Sequence, residues 1–240
     1  MDMKKIITCA ALLAGIVFFN GRLNAQVESD IVGYQTIEVT KTHTLLGISF
    51  TNLGDKTDTL SPIDINQVVT GDFMVGDQIQ IPSGSGYTLA GWNGEKWVRM
   101  TAAGALTTRD PATVKPGCGV WLYTPNASET SKVTVQLVGA VKLGATTTIE
   151  CDAGFSIAAS VAPAELDINT CTWSNMTLKD QIQIPSGSGY ALAGWDGEKW
   201  VRMTAAGALT TREPPKVPMG SAFWLMTQNA NASYTLKVSE

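Results

Sequence analysis

The chain has 240 residues, of which 44% are hydrophobic, 8% aromatic and 16% charged, a length that suits one large domain or two small ones. Charge lies below the roughly 25% usual for a soluble domain, and the 23 glycines together with the apolar content exclude a charged, disordered chain. With Lys+Arg 17 against Asp+Glu 21 and a net charge of −4, the composition offers no basic surface for a phosphate backbone, so no nucleic-acid partner is expected.

At the start of the chain, Lys4 and Lys5 precede an apolar run from Ile6 to Phe19, and Leu23-Asn24-Ala25 follows it. A basic start, a short apolar core and a small residue at the cleavage point read as a secretory signal peptide over 1–25. The run falls short of the ~20 residues that span a bilayer. No second run follows, so no stable membrane insertion is expected after cleavage. Cys9 lies ahead of most of the apolar core, too early for a lipoprotein attachment site. Cleavage after Ala25 removes Lys4, Lys5, Arg22 and Asp2 and leaves a more acidic secreted protein. Its expected location is extracellular or on the cell surface, with the periplasm as the alternative.

The rest of the chain is duplicated, and a missed repeat would miscall the fold. Asp77 to Pro111 reads DQIQIPSGSGYTLAGWNGEKWVRMTAAGALTTRDP, and Asp180 to Pro214 repeats it at an offset of 103. Only three of 35 positions differ: Thr88/Ala191, Asn93/Asp196 and Asp110/Glu213. Outside the block the match thins but keeps register. Ile63-Asp64-Ile65-Asn66 answers Leu166-Asp167-Ile168-Asn169, and Trp121-Leu122 answers Trp224-Leu225. Upstream, Thr36-Ile37-Glu38-Val39 resembles Thr148-Ile149-Glu150-Cys151 at offset 112, so the first copy carries about nine extra residues before position 61. The repeat spacing divides the mature protein into units at 27–135 and 136–240. The uneven identity means either that sequence exchange homogenised the centre or that both copies are held to one job.

Within a unit, alternation dominates over helical spacing. Tyr87 to Trp92, then Asn93-Gly94, then Glu95 to Thr101 reads as a β-hairpin, with Asn-Gly, or Asp196-Gly197, supplying a two-residue type I′ turn. That turn pairs Trp92 with Glu95, Ala90 with Trp97 and Thr88 with Arg99. One face, with Tyr87, Leu89, Val98 and Met100, is then expected to be core. The other carries Trp92, Trp97, Glu95 and Arg99. Further strands are predicted over Gly119 to Thr124 and over the alternating Lys132 to Leu137. No convincing amphipathic helix occurs. The expected fold is all-β: two tandem homologous β-sandwich or small-barrel units after the signal peptide.

Beyond Cys9, the cysteines are Cys118, Cys151 and Cys171. Cys151 and Cys171 align with Val39 and Val68 of the first copy, so the double change predicts a Cys151–Cys171 disulfide replacing a core contact, with Cys118 left over. The alternative is three buried thiols acting as small hydrophobes.

The chemistry-bearing residues are sparse. His43 is the only histidine, there is no G-x-S-x-G elbow, and Pro82-Ser83-Gly84-Ser85-Gly86 lacks the lysine of a phosphate loop. No Cys/His spacing suits zinc, and Asp64-Ile65-Asn66 with its twin Asp167-Ile168-Asn169 reads as turn or capping residues rather than as a calcium loop. Glu95, Asp77 and Asp110 recur as Glu198, Asp180 and Glu213. The Asp/Glu exchange moves a carboxylate by about one methylene, which suits a surface better than placed catalysis. No catalytic residue, metal or cofactor is therefore expected. The candidate ligand-binding residues are Trp92, Trp97 and Arg99 with Trp195, Trp200 and Arg202, because tryptophan on a rigid hairpin can stack on a sugar ring. The competing reading puts these rings in the core.

Gly33-Tyr34 opens the first unit. Pro116-Gly117-Cys118-Gly119-Val120-Trp121 closes it, and Met219-Gly220-Ser221-Ala222-Phe223-Trp224 answers in the second without the proline or second glycine. This pattern resembles secreted bacterial repeat proteins of generally unassigned function, whose β units run from a G-Y opening to a P-G-x-G-F/Y-W strand. What the resemblance implies is extracellular or cell-surface deployment, not a ligand. The expected function is that of a non-catalytic cell-surface, adhesive or scaffold component, partnered by polysaccharide or other surface proteins. The alternative is bivalent carbohydrate binding through the hairpin tryptophans.

Overall fold

A computed structural model describes residues 31–53, 61–84, 86–141, 146–151, 153–187, 189–229 and 231–237; the expected signal peptide lies outside them. The first unit contains β1 (Ile31–Val39), β2 (His43–Gly47), a single helical turn α1 (Ile65–Val68), β3 (Val69–Gly71), β4 (Gln78–Ser83), β5 (Gly86–Trp92), β6 (Trp97–Met100), β7 (Gly119–Tyr123) and β8 (Val133–Val141). The second contains β9 (Thr146–Glu150), β10 (Gly154–Ala159), a 3-10 turn (Ile168–Thr170), β11 (Thr172–Ser174), β12 (Gln181–Ser186), β13 (Gly189–Trp195), β14 (Trp200–Met203), β15 (Ala222–Thr227) and β16 (Ser233–Lys237).

Each unit is a sandwich of a three-stranded and a five-stranded sheet. Their strand orders are β1-β8-β3 with β2-β7-β4-β5-β6, and β9-β16-β11 with β10-β15-β12-β13-β14. The orders correspond strand for strand, so the duplication legible in the sequence is a duplication of topology. Alternation places each core: Ile79, Ile81, Ala90, Val120 and Leu122 point inward in the first unit, and Ile182, Ile184, Ala193, Phe223 and Leu225 in the second. Strand β8 runs past 135/136, where the repeat spacing divides the units, and pairs with β1 from Val39↔Val133 to Ile31↔Val141. The sheets therefore divide after Val141. Among the described residues no helix is long and apolar enough to cross a membrane.

The Asp-x-Asn motif acts as a cap and a clamp. Asp64 Oδ1 accepts the Asn66 N–H at 3.0 Å and starts α1. Asn66 then reaches across the sandwich: its Oδ1 accepts the Trp97 N–H at 2.8 Å and its Nδ2 donates to the Trp97 carbonyl at 3.0 Å. Asn169 does the same to Trp200 at 2.9 and 3.0 Å. The amide thereby serves as a one-residue strand partner for the start of β6 and of β14.

The hairpin register differs from the expected one. Trp92 pairs with Trp97, Gly91 with Val98 and Ala90 with Arg99, leaving 93–96 as a four-residue loop. Asn93 does not adopt a positive φ; Gly94 does, at 103°. Instead Asn93 Oδ1 accepts from the Glu95 and Lys96 N–H groups, as Asp196 Oδ1 does from Glu198 and Lys199. The side-chain oxygen closes the loop, so Asn and Asp are interchangeable for a different reason than a type I′ turn. Those bonds from Lys199 and Glu198 hold the Asp196 carboxyl below the usual range.

The units meet through the outer faces of their five-stranded sheets, and the contact is reciprocal. Gly47 N–H donates to the Gly220 carbonyl at 2.9 Å, and Ala159 N–H donates to the Gly117 carbonyl at 2.8 Å. Residues 47 and 159 are equivalent in the two copies, as are 117 and 220. Isolated bridges Leu46↔Ser221 and Cys118↔Ala158 repeat the relation. The junction is a pseudo-two-fold, isologous contact of the kind made by symmetric dimers, here within one chain. Tyr234 fastens it from inside the second unit, donating to the Ala159 carbonyl at 2.6 Å.

Asn66→Ala and Asn169→Ala would each leave a tryptophan N–H and C=O without partners, and each is expected to lower unfolding stability by about 3 kcal/mol. Urea unfolding of the two variants measures it; losses under about 1 kcal/mol would show that the clamp does not hold the edge strand.

Candidate functional site

The six candidate ligand residues divide sharply. Trp97 and Trp200 are both 0% exposed, so the expected stacking platform is corrected: these rings are core. The reason lies on the inner sheet face, where a second aromatic packs on each indole. Phe73 lies 4.7 Å from Trp97 between ring centroids, and Trp173 lies 5.0 Å from Trp200. Trp92 and Trp195 are half-buried at the rim, 5.3 and 5.4 Å from the buried rings. The expectation that Tyr87, Leu89, Val98 and Met100 form the core face is corrected with it. Tyr87 is exposed, and Met100 is buried instead where Leu106 folds back on the outer face over Gly91.

Arg99 and Arg202 are exposed, and they stand in a duplicated surface. The Arg99 N–H donates to the Arg109 carbonyl at 2.8 Å and the Thr107 N–H donates back to the Arg99 carbonyl at 3.0 Å, so 105–109 lies along β6 as an extra edge. Thr101 and Thr107 hydroxyls close the bend between them, accepting from Ala105 and Arg109 N–H groups. Arg202, Arg212, Thr204 and Thr210 repeat every bond. Each copy thus presents Lys96, Arg99 and Arg109, or Lys199, Arg202 and Arg212, beside two carboxylates on a hydrogen-bonded edge. Lys96 and Asp110 pair at 3.4 Å, both largely exposed, so the pair is screened and adds little to stability.

Asp77 and Asp180, the recurring carboxylates of the block, are buried and organise the turn before each hairpin. Oδ2 accepts the Met74 N–H at 2.8 Å in one copy and the Thr177 N–H at 2.7 Å in the other. Oδ1 of Asp180 also accepts the Gln228 N–H at 3.1 Å. The matching position in the first copy is Pro125, which has no N–H, and Asp77 Oδ1 is left without a partner. Burial pushes the Asp77 carboxyl up, against the Met74 N–H, which pulls it down. These are structural carboxylates; Glu95, Asp110, Glu198 and Glu213 stand on the surface. Among the described residues no three His, Cys, Asp or Glu side chains gather as a metal site.

The expected Cys151–Cys171 disulfide is also corrected, since all three cysteines keep their thiols. Cys151 and Cys171 fill the second core as Val39 and Val68 fill the first. Burial, with the Asp167 charge second, pushes the Cys171 thiol up to about 12.

Two features escaped the reading of the sequence. Trp121 and Trp224 lie on the outer faces at the junction, ring centroids 6.1 Å apart, with His43 and Phe155 edge-on to them at 6.3 and 5.9 Å. The signal was present as alternation in β7 and β15, but nothing local says that this face meets the other unit. A shallow cavity of about 350 Å³ is lined by Thr51, Asn52, Leu53, Gln67, Val68 and Gly139, none of them charged.

Fold and geometry together define a class: a tandem β-sandwich protein that carries one charged hairpin edge twice. Comparison with models of protein families, with curated proteins and with solved structures finds no match.

Asp77 has its pKa raised in the folded state, so its contribution is fully present below the ordinary Asp value near pH 4 and is lost as pH rises through the folded value. Asp77→Asn is therefore expected to remove a fall in stability above about pH 4 that the parent shows, while Asp180→Asn destabilises at neutral pH. Urea unfolding between pH 4 and 7 measures both; a parallel pH profile for parent and Asp77→Asn would contradict the assignment. Cys171 is expected to react with iodoacetamide at pH 8 at least ~10-fold more slowly in the native protein than in urea, as read by peptide mass spectrometry.

Proposed function

We propose that the protein is a secreted, non-catalytic cell-surface, adhesive or scaffold component that presents one recognition edge in two copies. The observation that carries this reading is where the two copies agree. Positions 95, 96, 99, 101–103, 105, 108 and 109 are exposed in both units and identical between them. Buried positions within the block are identical as well, its three differences fall at positions that are not buried, and buried positions outside it have diverged, as at Val39/Cys151 and Val68/Cys171. Core packing selects side chains by shape, whereas exposed residues are free to drift unless something outside the molecule reads them. Identity that extends to these exposed positions, which the fold does not constrain, therefore supports a shared binding role.

Polysaccharide and other surface proteins are the partners in view. A carbohydrate reading based on stacking over all four hairpin tryptophans loses its support, because two of the rings are core. The edge that remains is polar and charged, led by Arg99 and Arg202. Two like sites on one body gain avidity when a polymer or a surface spans both.

Binding of the mature chain to immobilised polysaccharides and to surface-protein fractions tests the reading. Arg99→Ala or Arg202→Ala alone is expected to weaken saturable binding by about 100-fold through lost avidity, and the two together to abolish it. Both side chains are exposed, so unfolding stability should stay within about 0.5 kcal/mol of the parent. A double variant that binds like the parent would remove the hairpin edge from the function.

A further inference from the structure

Where the two units meet, equivalent residues face one another across the pseudo-two-fold axis, and they are not the same size. A methyl added at Gly47 would lie 2.8 Å from the Cβ of Ala159, its own equivalent, and 2.7 Å from the Ser221 carbonyl oxygen. A methyl at Gly119 would overlap the Cβ of Ala222, again its equivalent, and the Cγ2 of Ile157. Ile157 corresponds to Leu45, which has no branch at Cβ. The first unit therefore contributes Leu45, Gly47 and Gly119, and the second contributes Ile157, Ala159 and Ala222. In every pair the larger group near the backbone belongs to the second unit. Leu45, Ile157, Ala159 and Ala222 together form the buried cluster between the sheets, with Trp121 and Trp224 packed against it.

We propose that this is a size code by which the outer sheet face of the first unit accepts the face of the second unit and not a copy of itself. Two hollow faces brought together would leave a gap where both methyls are missing. Two full faces would force methyls closer than carbon atoms approach, and neither a Cβ nor a β-branch can rotate away without moving backbone. The backbone bonds of the junction are the same in both directions, so they cannot distinguish the pairings; side-chain volume does. The partner that fits the Gly47/Gly119 face is thus a sheet face bearing small methyls and a β-branched residue, and tethering makes the pairing within the chain the favoured one. An isologous face would otherwise let either unit pair with its counterpart in another chain, and the code denies that contact. One consequence is that the two duplicated hairpin edges keep a fixed mutual geometry.

The test transfers the volume across the axis in the full chain. Gly119→Ala alone is expected to lower the unfolding midpoint by about 8 °C and to change the fluorescence of Trp121 and Trp224. Adding Ala222→Gly and Ile157→Leu should return at least half of that loss, although each of those changes by itself lowers the midpoint. Losses that simply add, or a compensated variant no better folded than Gly119→Ala, would overturn the size code. Restoration by the compensating pair would establish it even where the single variant fails to fold.

Discussion

The sandwich of each unit is closed by an asparagine holding the backbone of a buried tryptophan. An edge strand presents N–H and C=O groups with no ladder partner, and these are expensive to bury. Asn66 and Asn169 supply both partners to Trp97 and Trp200 from the opposite layer. Once that residue is pinned, its indole must fill the inter-sheet space, the hairpin takes its register from Trp92↔Trp97, and the following chain folds back along β6 as an outer edge. The exposed arginines stand on the edge strand that this bond pair holds.

The two copies solve the same packing problem with unequal success. Trp97 donates its indole N–H to the Val69 carbonyl at 3.3 Å, whereas the Trp200 N–H has no partner. There Trp173 has taken a place beside it and donates to the Ile168 carbonyl at 2.6 Å. Conversely, Asp180 is fully satisfied and Asp77 is not, because a proline stands where the first copy needs an N–H. Asp77 and Trp200 are each left short where the sequences around the block have drifted apart, and Gln35 Oε1 and Asn52 Oδ1 of the first unit also lack a partner. The block itself is intact in both. Drift outside the block has been absorbed by the cores and by the junction.

Much of this was legible beforehand. The offset of 103, the alternation in 132–137, and the Asp-Ile-Asn turn were enough to give a tandem all-β fold. The hairpin was found, but its register was not. Asn-Gly can turn a chain by positive φ at both residues or by side-chain hydrogen bonds from the asparagine, and the loop takes the second, in the register in which Asn66, 31 residues away, holds Trp97. The valine-to-cysteine changes located two core positions correctly. They said nothing about sulfur geometry, because proximity in a core does not bring two sulfurs into bonding position.

Sequence by itself therefore determined the repeat, the strands and the polar residues that cap them, since these depend on neighbours within a few positions along the chain. Only the tertiary structure decided which hairpin face is core. Both faces carry large apolar side chains: Trp92 and Trp97 on one, Leu89, Val98 and Met100 on the other. Alternation separates two faces without ranking them. The ranking came from what lies over each, a three-stranded sheet on one side and the 105–109 edge on the other. The same holds at the junction, where a glycine at 119 merely opens a strand in the sequence and becomes, opposite Ile157 and Ala222, the space into which the second unit fits.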